Sequence, residues 1–193
     1  RFLSLLNKTK ISISNDDTRH YLNGIYLHAT ELNKNTFLTG VATDSHRLSS
    51  SSIAIENIKN FASIIIPRKT VFQLCSLLEN VNEKLFIQTS SNKIKFTLGK
   101  INLISKVIDG KFPDYQKVVP KENTKTLTVS SADFINSVER VASVSIDRKE
   151  GVKLELSRDK LKLSVNSTNS GDGNEIVDAK YDGEDFTIGF NSK

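Results

Sequence analysis

The order of predicted elements occurs twice along this chain, and the repetition limits the fold more than any other feature of the sequence. A helix, three strands, a short strand and the start of a helix follow one another twice. The part after the first helix covers Gly24–Lys69 in one copy and, at nearly the same length, Gly151–Lys193 in the other. Such a repeat predicts an α+β protein whose two domains are copies of one unit, each an antiparallel sheet packed on two helices. We place the domains at residues 1–120 and 121–193.

Hydrophobic periodicity places the elements of the first copy. Apolar residues at helical spacing predict an amphipathic helix from Phe2 to about Ser14, with Ile11 on the wrong side of it. A second helix is predicted over 68–78, where Pro67 takes the first helical position. The predicted strands are 25–30, 36–43, 47–55, 61–66, 85–89, 93–98 and 101–106.

The second copy follows the same rules. Ser130 and Asp133 have the spacing of a helix-capping box, and an apolar helical stripe follows at Phe134, Val138, Val141 and Ala142. The predicted strands are 127–129, 152–157, 160–166, 176–181 and 186–190, with a polar loop over 167–174. Because this copy stops about halfway, and because the chain opens at Arg1 without any methionine, we expect a fragment of a longer protein.

The segment between the copies, Asp109–Lys121, contains two of the three prolines of the chain, Pro113 and Pro120. Each proline fixes φ and pushes the residue before it toward an extended conformation. The segment also carries Phe112, Tyr115, Val118 and Val119, which are too apolar for a free linker. It is therefore predicted to lie against a surface, on the hinge side of a binding cleft.

Charge is distributed unevenly. Residues 1–108 carry 14 lysines and arginines against 7 acidic residues, whereas the remaining residues carry 13 against 15. A positive field confined to one half fits an acidic partner, of which nucleic acid is the commonest, although basic faces are often only solvated ones.

The single cysteine and the absence of long apolar runs bear on the compartment. Cys75 lies in an apolar helical pattern, which indicates a buried free thiol in a reducing compartment. No signal peptide opens the chain, and no apolar run has the length that spans a bilayer. We expect a cytoplasmic protein without a membrane partner.

Enzyme chemistry has one local candidate. Asp44 and His46 could face a metal from one strand, joined by Asp109 or Asp114, in a metal-dependent hydrolase. A metal site needs three or four suitable ligands, and no second cluster stands nearby, so a turn at Asp44-Ser45 is the favoured interpretation. Neither a phosphate-binding glycine loop nor a nucleophile-elbow pattern is present, and no cofactor is predicted.

Nucleic-acid binding has more support. Arg68 and Lys69 fall in the first turn of a predicted helix, where unpaired N–H groups also favour phosphate. His20 and Tyr21 could stack on a base or pack against sugar. No sequence-reading motif is visible, so binding should be to the backbone and without sequence preference.

Five segments together resemble one family, the bacterial DNA polymerase III beta subunit or sliding clamp. They are Tyr21-Leu22-Asn23-Gly24, Ala42-Thr43-Asp44-Ser45-His46-Arg47-Leu48, Ile66-Pro67-Arg68-Lys69, Asp109-Gly110-Lys111-Phe112-Pro113-Asp114-Tyr115 and Ile188-Gly189-Phe190-Asn191. Any one of them is a weak signal, but five in order are specific.

The resemblance implies a DNA-clamp fold and a function without chemistry. The family forms dimeric rings of three-domain subunits, with helices around a basic hole and sheets outside. The chain would be most of the second domain, without its first strand, plus the first part of the third. The ring would encircle double-stranded DNA and tether the polymerase III alpha subunit, the clamp loader and other proteins with clamp-binding motifs. Two different functions stay open beside this one: the metal-dependent hydrolase, and an α+β repeat that binds proteins but not DNA.

The resemblance also implies two sets of site residues. The DNA-facing set is His20, Tyr21, Arg68 and Lys69. The partner-peptide cleft between the second and third domains is Leu22, Thr43, Ser45, His46, Arg47, Leu48, Pro113, Lys117, Val118 and Asn191. Its apolar members would form a pocket for a leucine or phenylalanine anchor.

Three positions depart from the family pattern. Ser45 replaces a usual glycine, Lys117 replaces a usual arginine and so loses a planar fork, and Lys149 stands where an apolar residue is common. A residue with a Cβ in place of glycine can alter the turn at Ser45.

Overall fold

The computed structural model describes residues 1–33, 35–55, 58, 61–79, 81, 83–145, 151–168 and 170–192. The chain divides into two compact units, Arg1–Tyr115 and Gln116–Lys193. The division falls earlier than the boundary predicted after Pro120, because Phe112 and Tyr115 pack on the first unit. None of the described helices is long and apolar enough to cross a membrane.

The first unit contains two antiparallel sheets and two α-helices. Helix α1 covers Phe2–Thr9, and α2 covers Arg68–Leu78. Strands β1 (Gly24–Leu32), β2 (Asn35–Thr43), β3 (Leu48–Ala54) and β4 (Ile64–Pro67) form one sheet in the order β3-β2-β1-β4. Strands β5 (Leu85–Thr89), β6 (Lys93–Leu98) and β7 (Ile101–Lys106) form the other in the order β5-β6-β7.

Helix α1 is shorter than predicted. It ends at Thr9, whose hydroxyl donates to the carbonyl of Leu5 at 2.8 Å, and a 3-10 turn follows at Lys10–Ser12. The prediction to Ser14 is therefore wrong beyond Thr9, because the backbone at Ile13 is already extended (φ −67°, ψ 131°). Ile11, the residue on the wrong side of the stripe, is 59% exposed.

The main core of the first unit lies where both helices meet the two sheets. Leu5 is fully buried and sits directly over Gly40 of β2, where an added Cβ would lie 2.5 Å from its Cδ2. This contact lets α1 approach the sheet closely. Cys75 is a buried free thiol in the same core, as predicted, and its burial raises its pKa.

The start of α2 differs from the prediction in detail. Pro67 is the last residue of β4 and the N-cap of the helix, with an extended ψ of 144°, rather than the first helical residue. It pairs with Gly24 of β1, and the amide of Arg68 donates to the carbonyl of Asn23 at 2.9 Å. The end of the segment before β1 and the start of α2 are therefore neighbours.

The second unit contains one sheet and one described helix. Helix α3 covers Ser131–Ala142, and the side chain of Ser130 accepts from the amide of Asp133, so the predicted cap is confirmed. Strands β8 (Thr128–Val129), β9 (Gly151–Ser157), β10 (Lys160–Ser167), β11 (Gly171–Lys180) and β12 (Phe186–Asn191) lie in the order β12-β9-β10-β11-β8.

Strand β11 begins earlier than expected. The polar loop predicted over 167–174 is wrong from Gly171 onward, since those residues pair with β10 in a register that joins Ser167 to Gly171. Gly173 also approaches the end of α3 so closely that a Cβ there would lie 3.0 Å from the carbonyl oxygen of Val141. The glycine at position 173 therefore reflects close packing of backbone rather than a loop.

The four-stranded sheet of the first unit and the five-stranded sheet of the second confirm the predicted duplication and the α+β fold. Strands β9 to β12 neighbour one another in the order β12-β9-β10-β11, which matches β4-β1-β2-β3 in the first unit. The second core lies between α3 and its sheet, around Leu161 and Leu163, both fully buried.

Candidate functional site

The turn between β2 and β3 is held by its own side chains. The hydroxyl of Thr43 donates to the carbonyl of Arg47 at 2.8 Å and accepts from the amide of Ser45 at 3.1 Å. Asp44 Oδ1 accepts from the amides of His46 and Arg47, both at 3.0 Å. The turn thus presents the exposed His46 and Arg47 side chains from a fixed backbone.

The carboxylate of Asp44 bonds only to groups of this turn among the contacts described. Its second carboxylate oxygen accepts from Arg47 Nε at 3.0 Å. Partial burial alone would raise the pKa of Asp44, but hydrogen bonds from Arg47 and His46 outweigh it and hold that pKa below its usual value. Within the described residues, no group of three or more His, Cys, Asp or Glu side chains could hold a metal ion. The arrangement gives the metal-dependent alternative no support.

Ser45 keeps the backbone conformation that glycine favours. Its φ is +78°, in the left-handed region, which costs a residue with a Cβ about 1–2 kcal/mol. Arg19 lies in the 3-10 segment Asp17–Leu22, and its guanidinium donates a hydrogen bond to the hydroxyl of Ser45. Arg19 Nε also lies 2.9 Å from Asp16 Oδ2, with which it forms an ion pair. The chain therefore adopts a left-handed backbone at this position although serine carries a Cβ.

A small apolar cluster lies on the other face of the four-stranded sheet. Leu22, Val41, Ile65 and Phe112 are buried in it, and Leu48 packs against it half-buried. Leu22 was predicted to line an open pocket, but it is only 2% exposed. It therefore packs inside the cluster. The structure brings Leu22 and Leu48 into one cluster.

The remaining predicted cleft residues have exposed side chains. Pro113 lies at the end of the first unit. Lys117, Val118 and Asn191 belong to the second unit, and Val118 is 69% exposed. Lys149 lies outside the described residues. An apolar side chain as exposed as Val118 is available to a partner.

An aromatic stack fixes the start of the connecting segment on the sheet. Phe112 stacks on Tyr26 at 4.9 Å between ring centroids, and Tyr26 stacks on His28 at 4.7 Å. His28 is buried, and its Nε2 lies 3.1 Å from the hydroxyl of Tyr115. Just before the stack, the amide of Ile108 donates to Ile65 of β4 at 2.9 Å. The segment up to Tyr115 therefore belongs to the first unit.

The tautomer of His28 follows from its partners. Nδ1 lies 3.2 Å from the carbonyl of Ala29, which only accepts, so Nδ1 carries the proton and Nε2 accepts from Tyr115. Burial lowers the pKa of His28 below its ordinary 6.5, although the bond to Ala29 opposes the effect.

The lowered pKa predicts how stability depends on pH. Below about pH 6.5 the unfolded chain binds a proton at His28 more readily than the folded unit does. The contribution of His28 to stability is therefore complete above that pH and is lost as the pH falls toward the pKa of the folded state. The free energy of unfolding falls by at most about 1.4 kcal/mol per pH unit in this range. We expect His28→Phe, which retains a ring, to flatten this dependence in urea unfolding of the first unit. A variant whose pH dependence matches the parent would contradict the assignment.

The residues predicted to face DNA lie at two neighbouring places in the first unit. Arg68 and Lys69 open α2 beside the segment that ends at Asn23, as the pairing of Gly24 with Pro67 requires. His20 is exposed, meets the ring of Tyr21 edge-on at 5.9 Å, and its Nε2 lies 3.0 Å from the carbonyl of Asp109.

Comparison with known proteins identifies the family. The model of the DNA polymerase III beta subunit, central domain, matches residues 1–114, and that of its C-terminal domain matches residues 116–193. The chain belongs to the DNA polymerase III beta subunit family. The chain is 40% identical over 192 residues to the beta sliding clamp of Caulobacter vibrioides, covering 99% of this chain and 52% of the relative. It is 36% identical over 187 residues to that of Escherichia coli K12, covering 97% of this chain and 50% of the relative.

Solved structures agree with this membership. The Bartonella birtlesii sliding clamp bound to griselimycin is 40% identical, with a TM-score of 0.93 over 99% of this chain and 52% of its own. The Caulobacter crescentus sliding clamp is 39% identical, with a TM-score of 0.92 over 99% of this chain and 51% of its own. The chain spans about half the length of the curated relatives it matches.

Four residues that contact the predicted site residues or the connecting segment were not identified from the sequence. Tyr26 and His28 alternate along β1 beside Phe112, and period-two alternation of aromatic residues could have indicated them. Phe72 lies one helical turn after Arg68, which could have suggested their contact. Arg19 had no signal, since its contact with Ser45 crosses two separate segments.

Proposed function

We propose that the full-length protein is a sliding clamp, which encircles duplex DNA without sequence preference and tethers other replication proteins. The observation that carries this proposal is the match to two consecutive domains of the beta subunit, in family order and without a gap of more than one residue. The function needs no catalytic group or cofactor, since it depends on topology and on exchangeable contacts. We place the protein in the cytoplasm, as a homodimeric ring.

The cations of α2 support DNA contact through the first unit. Among the described residues, neither Arg68 nor Lys69 forms an ion pair with a carboxylate, whereas Arg19, Arg47 and Arg140 each do. A cation without a carboxylate partner can release a condensed counterion when it meets a phosphate. His20 and Tyr21, beside the start of α2, complete the proposed DNA-facing set.

The DNA surface is tested by changing Arg68 and Lys69 together to alanine in the full-length protein. We expect affinity for a short labelled duplex to fall about tenfold, and the slope of log affinity against log salt to become shallower by about 2, because two phosphate contacts are lost. Fluorescence anisotropy across a salt series measures both. The matched control, Lys93→Ala with Lys95→Ala on β6, should leave the slope unchanged; an unchanged slope in the α2 variant would remove these residues from the DNA surface.

Partner peptides are proposed to bind through the residues that were predicted to line the cleft. The proposed set is Leu22, Thr43, Ser45, His46, Arg47, Leu48, Pro113, Lys117, Val118 and Asn191. Its support is the bonded turn that presents His46 and Arg47, the half-buried Leu48 beside it, and the exposed Val118. A few apolar anchors in a short flexible peptide suit affinity on the order of micromolar, which allows partners to exchange.

The polymerase III alpha subunit and the clamp loader are the proposed partners. Both must use the cleft in turn, so each must bind weakly enough to leave. Binding of this kind needs presentation of fixed polar groups around an apolar anchor. The turn at Thr43–Leu48 supplies such groups.

A further inference from the structure

Phe72 is an exposed aromatic residue with two cations over its ring. It lies on the outer face of α2 with 43% of its surface exposed. The guanidinium carbon of Arg68 lies 4.9 Å from the ring centroid, and Lys10 Nζ lies 5.5 Å from it. Arg68 precedes Phe72 by one helical turn, whereas Lys10 comes from the 3-10 turn after α1. One ring therefore joins cations from two separate elements.

In the described part of the chain, neither of the two cations is paired with a carboxylate, and the same holds for the neighbouring Lys69. The negative face of an aromatic ring attracts cations within about 6 Å, which offsets part of the repulsion between two like charges. Flexible Lys and Arg side chains otherwise lose considerable rotamer freedom when they are held in one place. The ring thus holds each of the two charges near it before any ligand arrives.

A shallow depression beside the ring gives an anion access to this cluster. It is lined by Arg68, Lys69, Phe72, Gln73 and Ser76, and every one of these side chains except the half-buried Arg68 is exposed. Gln73 and Ser76 add polar groups that bond phosphate oxygens without discriminating between bases. The surface has the composition of a backbone-contacting patch centred on an aromatic residue.

We propose that Phe72 is a positioning residue of the DNA surface, whose ring holds Arg68 and Lys10 in place to contact neighbouring phosphates. The inference rests on the proposed function and adds Lys10 and Phe72 to the DNA-facing set. The ring contributes pre-organisation, since the two cations lose less freedom on binding when they are already held. The number of charges that meet DNA is the same with or without the ring.

The test compares Phe72→Ala, Phe72→Leu and Phe72→Tyr in the full-length protein, with a short fluorescein-labelled duplex as the probe. We expect the alanine and leucine variants to bind about fivefold more weakly, because each cation–π contact at an exposed site corresponds to a few-fold change. The salt slope should stay unchanged, because both cations remain. Phe72→Tyr should bind like the parent, since it retains an aromatic ring at this position.

A matched control separates this role from general packing. Phe86→Ala removes an aromatic residue that is 62% exposed on β5 and should leave DNA affinity unchanged. Parental affinity in Phe72→Leu would overturn the inference, because apolar bulk would then suffice. Parental affinity in Phe72→Ala would overturn it as well. If the Arg68 and Lys69 double variant also bound normally, the proposed DNA surface itself would fail; if that variant weakened binding, only the role of Phe72 would be lost.

Discussion

Leu48→Asp in the full-length protein is expected to abolish binding of a short hydrophobic partner peptide. Leu48 is half-buried against the cluster of Leu22, Val41, Ile65 and Phe112, and it follows directly on the bonded turn. The substitution removes an apolar contact of about 1.5–3 kcal/mol. It also places a charge where the apolar anchor of the peptide would be buried. The combined effect is a loss of about a hundredfold or more in affinity, measured by calorimetry or anisotropy with a leucine-anchored peptide.

The control for this variant is Ala54→Asp, which adds the same charge at an exposed position at the other end of β3. It should bind peptide within about twofold of the parent, since surface charges change affinity little. Circular dichroism and thermal unfolding of both variants report whether the sheet is intact. Normal peptide binding by a folded Leu48→Asp protein would remove Leu48 from the cleft and contradict the assignment of that surface.

Leu5→Ala is expected to cause a large loss of stability in the first unit. Leu5 is fully buried and lies against Gly40, so truncation leaves a cavity between α1 and β2 that neither backbone can fill. Deleting a leucine of this kind lowers the free energy of unfolding by about 3 kcal/mol. Urea unfolding, followed through the transition of the first unit, measures the change as a lower midpoint.

Ile11→Ala is the comparison for that experiment. Ile11 lies only a few residues away but is 59% exposed, so its truncation should change the free energy of unfolding by less than about 0.5 kcal/mol. Equal losses in the two variants would mean that α1 does not pack on the sheet through Leu5. A larger loss of stability for Ile11→Ala than for Leu5→Ala would contradict the burial of the apolar face of α1.

Local pattern predicted most of the elements, because each depends on residues close in sequence. The stripe through Val71, Leu74 and Leu78 and the cap at Ser130 decide their helices within a few positions. Errors occurred where a distant contact overrides composition. The polar residues from Gly171 form a strand because β10 pairs with them, and Pro67 is drawn into β4 by its pairing with Gly24.

The candidate surfaces were predictable only in part, for the same reason. The motif around Thr43–Leu48 indicated a turn with exposed polar residues, and the structure has one. The burial of Leu22 was not predictable, because Phe112 and Ile65 cover it from remote parts of the chain. Neither was the left-handed conformation of Ser45, which composition alone disfavours.

The stack of Phe112, Tyr26, His28 and Tyr115 determines where the first unit can be cut. A shortened chain that ended at Ile108 would remove two of these four rings and uncover Leu22, Val41 and Ile65. Newly exposed apolar surface of this kind promotes association between molecules. A chain that ends after Tyr115 retains the whole stack, so the economical fragment for isotope labelling or crystallisation includes the first half of the segment Asp109–Lys121 that connects the two copies.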